Sequence, residues 1–324
     1  MRKNVMIDTK QDRIILAGGS GFLGALLARY LEARENEVIV LSRNGRSRAN
    51  IQWDGATLGP WVEYLDGAKA IVSLAGRSVN CRYTKHNRRL ILDSRVNSTR
   101  VLGEAIARCA KPPPVWLNAS TATIYKHSLL RPMDEANGEI ASTPEAKDAF
   151  SVEIAREWEK TLTAAQTPST RKIALRTAMV FGRTKGSVFD VLRRLVRLGL
   201  GGKMAGGEQF VSWIHEEDFC RAVEWLIRES QLSGAVNICA PHPVPNREMM
   251  SAIREVCGVP IGLPAARWML EVGAVFLRTE TELIIKSRRV VPGRLLASGF
   301  SFRFPKLLDA LKDLCTAQSE RQRP

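Results

Sequence analysis

Gly18-Gly19-Ser20-Gly21-Phe22-Leu23-Gly24 follows the apolar run Ile14-Ile15-Leu16-Ala17 and precedes a helical pattern from Phe22 to about Ala33. Strand, glycine turn and helix in that order are the context of a dinucleotide-binding turn. Gly18, Gly21 and Gly24 space it as G-x-x-G-x-x-G. One such glycine turns the backbone sharply, one lets it approach a pyrophosphate, and one lets the helix pack on its strand. Free amides at the helix start then face the phosphates, and the helix dipole favours their charge. A tight turn that binds nothing is the competing reading, and the flanking strand and helix weigh against it.

Outward from this turn, Val38-Ile39-Val40-Leu41 reads as a second buried strand that closes a βαβ unit and ends at Ser42-Arg43-Asn44-Gly45-Arg46. At that strand end an acidic residue bonds a ribose 2′-hydroxyl, whereas an Arg accommodates a 2′-phosphate. The chain carries Ser42 and Arg43 there, with Arg46 close behind and no acid, which favours NADP over NAD. A basic loop that never touches the ribose is the bland alternative. Further strands are expected at Ala68–Leu74, Val115–Ala119, Ile173–Thr177, Phe210–Ile214 and Val236–Cys239. Helices are expected at 85–109, 146–166, 188–198, 246–257, 265–277 and 305–315. The alternation predicts an α/β fold with a doubly wound parallel (Rossmann) sheet and a smaller, mostly helical substrate-side domain. Residues 1–12 read as a polar tail, 13–180 plus about 208–240 as the dinucleotide-binding domain, about 181–207 plus 241–315 as the substrate-side region, and 316–324 as a tail.

The net charge of +15 over 324 residues raises nucleic acid as a partner. The basic residues are nevertheless spread along the chain without a nucleic-acid-binding signature, and a phosphorylated small molecule uses the same side chains. Arg183, Lys185, Arg193, Arg194 and Lys203 are candidates to meet a substrate phosphate. No apolar stretch has the length of a membrane span, and Pro264, Arg267 and Glu271 interrupt the most apolar late segment. The six cysteines are scattered without metal-ligand spacing, as expected for reduced thiols in a cytoplasmic protein. No metal site, nucleic acid or membrane is expected, and an oligomer stays open.

With the glycine turn, Ser42-Arg43, Ser73-Leu74-Ala75-Gly76, Ser120-Thr121 and Trp213-Ile214-His215-Glu216-Glu217-Asp218 in this order, the chain resembles the extended short-chain dehydrogenase/reductases of the nucleotide-sugar epimerase/dehydratase superfamily. Arg289 to Phe300 narrows the resemblance to an epimerase-like subfamily of uncertain activity with a small C-terminal domain. The resemblance implies NADP(H) with Gly18, Gly21, Phe22, Leu23 and Gly24 under the pyrophosphate, and Ser42 and Arg43 at the 2′-phosphate. Leu74, Ala75 and Gly76 would line the adenosine side. Asp54 is either near the adenine or an exposed loop residue.

The superfamily's hydride chemistry uses Tyr-x-x-x-Lys, a spacing that puts both side chains on one helix face. Here Phe150 and Ile154 occupy the two positions, and none of the four tyrosines, Tyr30, Tyr64, Tyr83 and Tyr125, has Lys four residues on. Ser120 and Tyr125 are the catalytic candidates that survive, with a packing role open for Tyr125 and a helix-entry role for His215. Two functions follow: an NADP(H)-dependent epimerase-like oxidoreductase with a non-standard acid/base, whose unidentified substrate could be nucleotide-linked, or a non-catalytic NADP(H)-binding sensor. If Arg43 reads the 2′-phosphate, Arg43→Glu weakens NADPH far more than NADH in a binding titration; equal weakening removes Arg43 from that role.

Overall fold

The computed structural model describes residues 11–45, 49–276 and 280–320, with the side chains of 272–276, 283 and 317–320 excepted; Arg46, most of the N-terminal tail and residues 321–324 lie outside the described residues. The first half runs β1 (Arg13–Ala17), α1 (Phe22–Glu32), β2 (Glu37–Ser42), β3 (Asn50–Gln52), β4 (Ala70–Ser73), α2 (Lys85–Ile106), β5 (Val115–Thr121), α3 (Ala149–Ala164) and β6 (Arg171–Thr177). The second runs β7 (Met179–Phe181), α4 (Val188–Arg197), β8 (Phe210–Val211), β9 (Trp213–His215), α5 (Glu216–Arg228), β10 (Gly234–Ile238), β11 (Val244–Pro245) and α6 (Asn246–Cys257). It closes with α7 (Arg267–Phe276), α8 (Glu282–Ile285), α9 (Gly293–Ala297) and α10 (Leu307–Glu320).

Seven strands form one parallel sheet in the order β10-β6-β5-β4-β1-β2-β3. Ile14 to Ala17 are buried on both faces, as a parallel strand between two helical layers requires. One layer packs Leu27 and Leu31 of α1 with Phe219 and Val223 of α5. The other packs Val101, Leu102 and Ala105 of α2 with Leu162 of α3 against Trp116. The chain leaves β1 for β2 on one side and later returns to β4 on the other, so the sheet has its topological switch point between β1 and β4.

The doubly wound expectation holds, and the structure departs from it at particular points. The strand expected at Phe210–Ile214 breaks at Ser212. Its hydroxyl donates to the Arg288 carbonyl at 2.7 Å and accepts from the Val290 amide at 2.8 Å, so the chain turns there to hold a distant segment. β8 then pairs with β11, and β9 with β7, in two small sheets. β3 escaped the sequence reading because Ile51 is its one apolar residue.

The late chain serves two bodies. Leu295 and Phe300 join the core beneath α1 and α5, whereas Phe304, Leu311 and Leu314 pack with Met250 and Ile253 of α6 and Phe189 of α4. Residues 241–315 therefore contribute to both cores.

The Trp213–Asp218 stretch fastens that late chain. Nδ1 of His215 accepts the Glu217 amide at 3.1 Å, capping α5, and Nε2 faces Asp313 of α10 at 3.1 Å. Asp218 is fully buried and accepts the Arg303 and Phe304 amides, both at 2.8 Å. His215 thus has the helix-entry role that the sequence left open. A second proton on its ring would have to sit on Nδ1, against an N–H, and burial beside Arg183 pulls its pKa down to about 3. The unfolded chain therefore takes up the proton first as pH falls. Stability drops from the ordinary His pKa near 6.5 towards 3, by about 2 kcal/mol at pH 5. Denaturant midpoints from pH 7 to 5 should show this drop, and His215→Asn, which keeps a capping oxygen without titrating, should flatten it.

Candidate cofactor and active site

The glycine turn crosses the carboxyl ends of β1 and β4, pinned by Gly18 N–H to the Leu41 carbonyl at 2.9 Å and Leu74 N–H to the Ala17 carbonyl at 2.8 Å. Gly18 has φ +75°, and a Cβ there would lie 2.6 Å from Cα of Ala75. A Cβ on Gly24 would strike the Gly19 backbone, whereas one on Gly21 would meet nothing within 4 Å. Two glycines thus serve the protein's own packing, and the third faces open space at the start of α1. No side chain caps α1 and no acid stands in its first turn, so its leading amides point at that space. This is the surface a diphosphate needs.

At the end of β2, Arg43 is exposed and makes no ion pair among the described residues, so it can reach a phosphate. Ser42 is buried, with its hydroxyl donated to Oδ1 of Asn50 at 2.7 Å. Its side chain therefore already holds the β2–β3 connection. Leu74 is half-buried, Ala75 buried and Gly76 exposed along the same crevice. Asp54 accepts the amides of Ala56 and Thr57 and the Thr57 hydroxyl, and those bonds lower its pKa, so it organises its own exposed turn.

Ser120 and Tyr125 are brought together, but through the interior. Ser120 donates to Oε1 of Glu159 at 2.6 Å, and Arg176 clasps that carboxylate with Nε at 2.8 Å and Nη2 at 2.7 Å. Nη1 of Arg176 donates to the Tyr125 hydroxyl at 2.8 Å, which donates onward to Oδ1 of Asn237 at 3.0 Å. Burial lowers the Arg176 pKa, but the hydrogen bond and charge of Glu159 outweigh it and leave it raised. The Tyr125 pKa is raised by burial despite Arg176. With Ser120 6% and Tyr125 1% exposed, this network ties together the carboxyl ends of β5, β6 and β10. The half-buried Thr121 stands one residue nearer the crevice.

Phe150, Ile154 and Trp158 share one face of α3 and fill with apolar matter the place where the resemblance puts Tyr and Lys. Phe150 and Ile154 pack with Ile91, and Tyr83 meets Phe150 edge-on at 5.0 Å between centroids. The Tyr83 hydroxyl is buried near Ser151, and burial with the nearby Glu282 charge pushes its pKa up to about 12 despite Ser151.

A roof of late residues lies beside it. Ser151 donates to Oε2 of Glu282 at 2.8 Å. Lys286 forms a fully buried ion pair with Asp148 and donates to the Thr123 carbonyl at 2.6 Å. Burial raises the Glu282 pKa and lowers that of Lys286, each against its partners. Sequence reasoning missed Tyr83, Glu282 and Lys286, because their signal is burial of polar groups from distant segments.

Of the basic residues offered for a substrate phosphate, Arg183 is paired with Glu216 and Asp313, and Arg193 and Arg194 with Asp190. Lys185 and Lys203 remain exposed. All six cysteines are free thiols. Among the described residues no cluster could hold a metal, and no helix is long and apolar enough to cross a membrane.

The sequence pattern described as the NAD dependent epimerase/dehydratase family matches residues 14–239, and a domain of unknown function, DUF1731, matches residues 265–314. The epimerase family protein SDR39U1 of Bos taurus is 32% identical over 309 residues, covering 93% of this chain and 99% of the relative. YfhF of Bacillus subtilis (strain 168), another epimerase family protein, is 29% identical over 308 residues, covering 93% and 97%. The crystal structure of human SDR39U1 (isoform 2) with NADPH superposes with a TM-score of 0.82 at 29% identity, covering 94% of this chain and 99% of that one.

The buried network distinguishes its members by charge. Glu159→Gln leaves Arg176 without its counter-charge and costs about 3–5 kcal/mol, whereas Ser120→Ala costs about 1 kcal/mol. Chemical denaturation of the two variants checks the ranking.

Proposed function

Because the chain belongs to the NAD dependent epimerase/dehydratase family, we propose that it is an NADP(H)-dependent epimerase-like oxidoreductase acting on an unidentified substrate, with nucleotide-linked carbonyl compounds or alcohols as the class to test. The observation that carries this reading is the cradle at Gly21: open where a diphosphate needs room, without a side-chain cap on α1, and flanked by Arg43, which makes no ion pair among the described residues. NADPH in the crystal structure of the human relative supports the same nucleotide here. When bound, the nicotinamide supplies or accepts the hydride.

The chain's own residues bind and orient. Gly18, Gly21, Phe22, Leu23 and Gly24 hold the diphosphate, and Arg43, beside the inward-facing Ser42, takes the 2′-phosphate. Leu74, Ala75 and Gly76 line the crevice. Ser120 and Tyr125 support the chemistry by fixing the strand ends. For the proton we favour Tyr83, the phenol packed edge-on against Phe150, whose buried hydroxyl stays protonated at neutral pH and would donate to a substrate oxygen that reaches it. The tight packing of Phe150 and Ile154 where a catalytic pair would stand favours the second reading, a non-catalytic NADP(H)-binding sensor.

Mixing the protein with NADPH and a panel of nucleotide sugars and simple carbonyl compounds separates the two. Cofactor oxidation, or isomerised product where redox is balanced, supports the enzyme; tight NADPH binding without turnover supports the sensor. On a substrate that turns over, Tyr83→Phe should lower kcat about 100-fold or more with little change in NADPH affinity. An unchanged kcat removes Tyr83 from proton transfer.

A further inference from the structure

Ile154 leaves the site without the cation that its position carries in the superfamily, yet a guanidinium reaches the same crevice from another helix. Arg95 of α2 lies against Gly76: a Cβ built there would stand 3.2 Å from Cζ of Arg95. Gly76 follows Ala75, and Ala75 touches Gly18 of the diphosphate turn. Arg95 is therefore linked through successive backbone contacts to the loop expected to hold the cofactor.

Its other side is the ring of Trp158 on α3, with Cζ 5.0 Å from the centroid. That stacking fixes the plane of the guanidinium. Among the described residues only Nη1 donates, to the carbonyls of Arg77 and Ile91, both at 3.0 Å, and Arg95 pairs with no carboxylate. Burial accordingly pulls its pKa down to about 10, which leaves it charged at neutral pH. A half-buried, stacked cation that has no counter-ion, and no partner for Nε and Nη2, among the described residues is built to receive an anion or a hydroxyl.

We propose that Arg95 replaces the missing lysine as the cation of the cofactor's nicotinamide half, contacting the phosphate or ribose on that side of the diphosphate. The side follows from topology. The adenosine ribose belongs at the end of β2, so a dinucleotide crossing the switch point carries its other half over β4 and β5. Arg95 sits on that side, between Gly76 beyond β4 and Trp158 on α3, which packs over β5. This assignment rests on the cofactor reading given above and names the residue that would hold the distal half.

Calorimetry with NADPH and with 2′,5′-ADP, which lacks the nicotinamide half, tests it. Arg95→Met should weaken NADPH about 10- to 100-fold, as expected for losing a charged hydrogen bond, and leave 2′,5′-ADP within about twofold of wild type. Arg95→Lys, which keeps the charge, should recover part of the loss. Arg95→Gln, which keeps a donor for the two carbonyls, reads the same comparison if the Met variant does not fold. Wild-type NADPH affinity in a folded Met or Gln variant overturns the assignment and leaves the cofactor reading standing. Equal weakening of both ligands also overturns it, because Arg95 then only supports the 75–77 turn. No heat from wild-type protein with either ligand overturns the cofactor reading and the assignment together.

Discussion

The structure depends on one close approach, that of Gly18 to Ala75 across the ends of β1 and β4. Two parallel strands of opposite winding meet there, and the backbone of one connection passes within side-chain distance of the other. A methyl group at Gly18 would force them apart and would also need a left-handed backbone that L side chains rarely adopt. Because the contact is backbone to Cα, no rotamer change relieves it. The crevice outside the sheet, the direction of α1 and the placement of Gly76 all follow from it.

What the sequence disclosed follows from the range of the interactions involved. The glycine turn, the β2 end and the parallel sheet are local or periodic: apolar runs of strand length alternate with amphipathic helices, and three glycines mark one loop. Those features were legible. Asn50-Ile51-Gln52 was not, since a three-residue edge strand with one apolar side chain carries no period. The break at Ser212 was hidden for a different reason: its hydroxyl serves residues 76 and 78 positions later in the chain.

The candidate site divides along the same line. Which residues were missing could be read at once, because Tyr-x-x-x-Lys is a spacing on one helix. What occupies their place could not. Tyr83 comes from the loop before α2 and Arg95 from α2 itself, Glu282 and Lys286 from α8 and its end, far apart in sequence, and nothing about each in isolation marks it. Ser120 and Tyr125 show the converse. Hydroxyls at a strand exit look available in sequence, and only Glu159 and Asn237 reveal that both already donate their protons inside the protein.

The aromatic face of α3 bears on why this arrangement persists as a unit. Replacing a phenol and an ammonium with Phe150 and Ile154 removes two polar groups from a buried face, which favours packing of α3 on α2. It also removes the donor and the charge on which superfamily chemistry relies. Arg95 and Tyr83 enter that gap from the β4–α2 side and each packs on a ring of α3, Trp158 and Phe150 respectively. Their polar ends are then held by ring contacts and short loops, not by helical spacing. Trp158 is itself anchored, its Nε1 donating to Thr99 at 3.0 Å on the helix that carries Arg95. The indole thus couples the two helices and orients the guanidinium in one step. A polar pair supported in this way has no sequence signature, because its geometry belongs to the interface between α2 and α3.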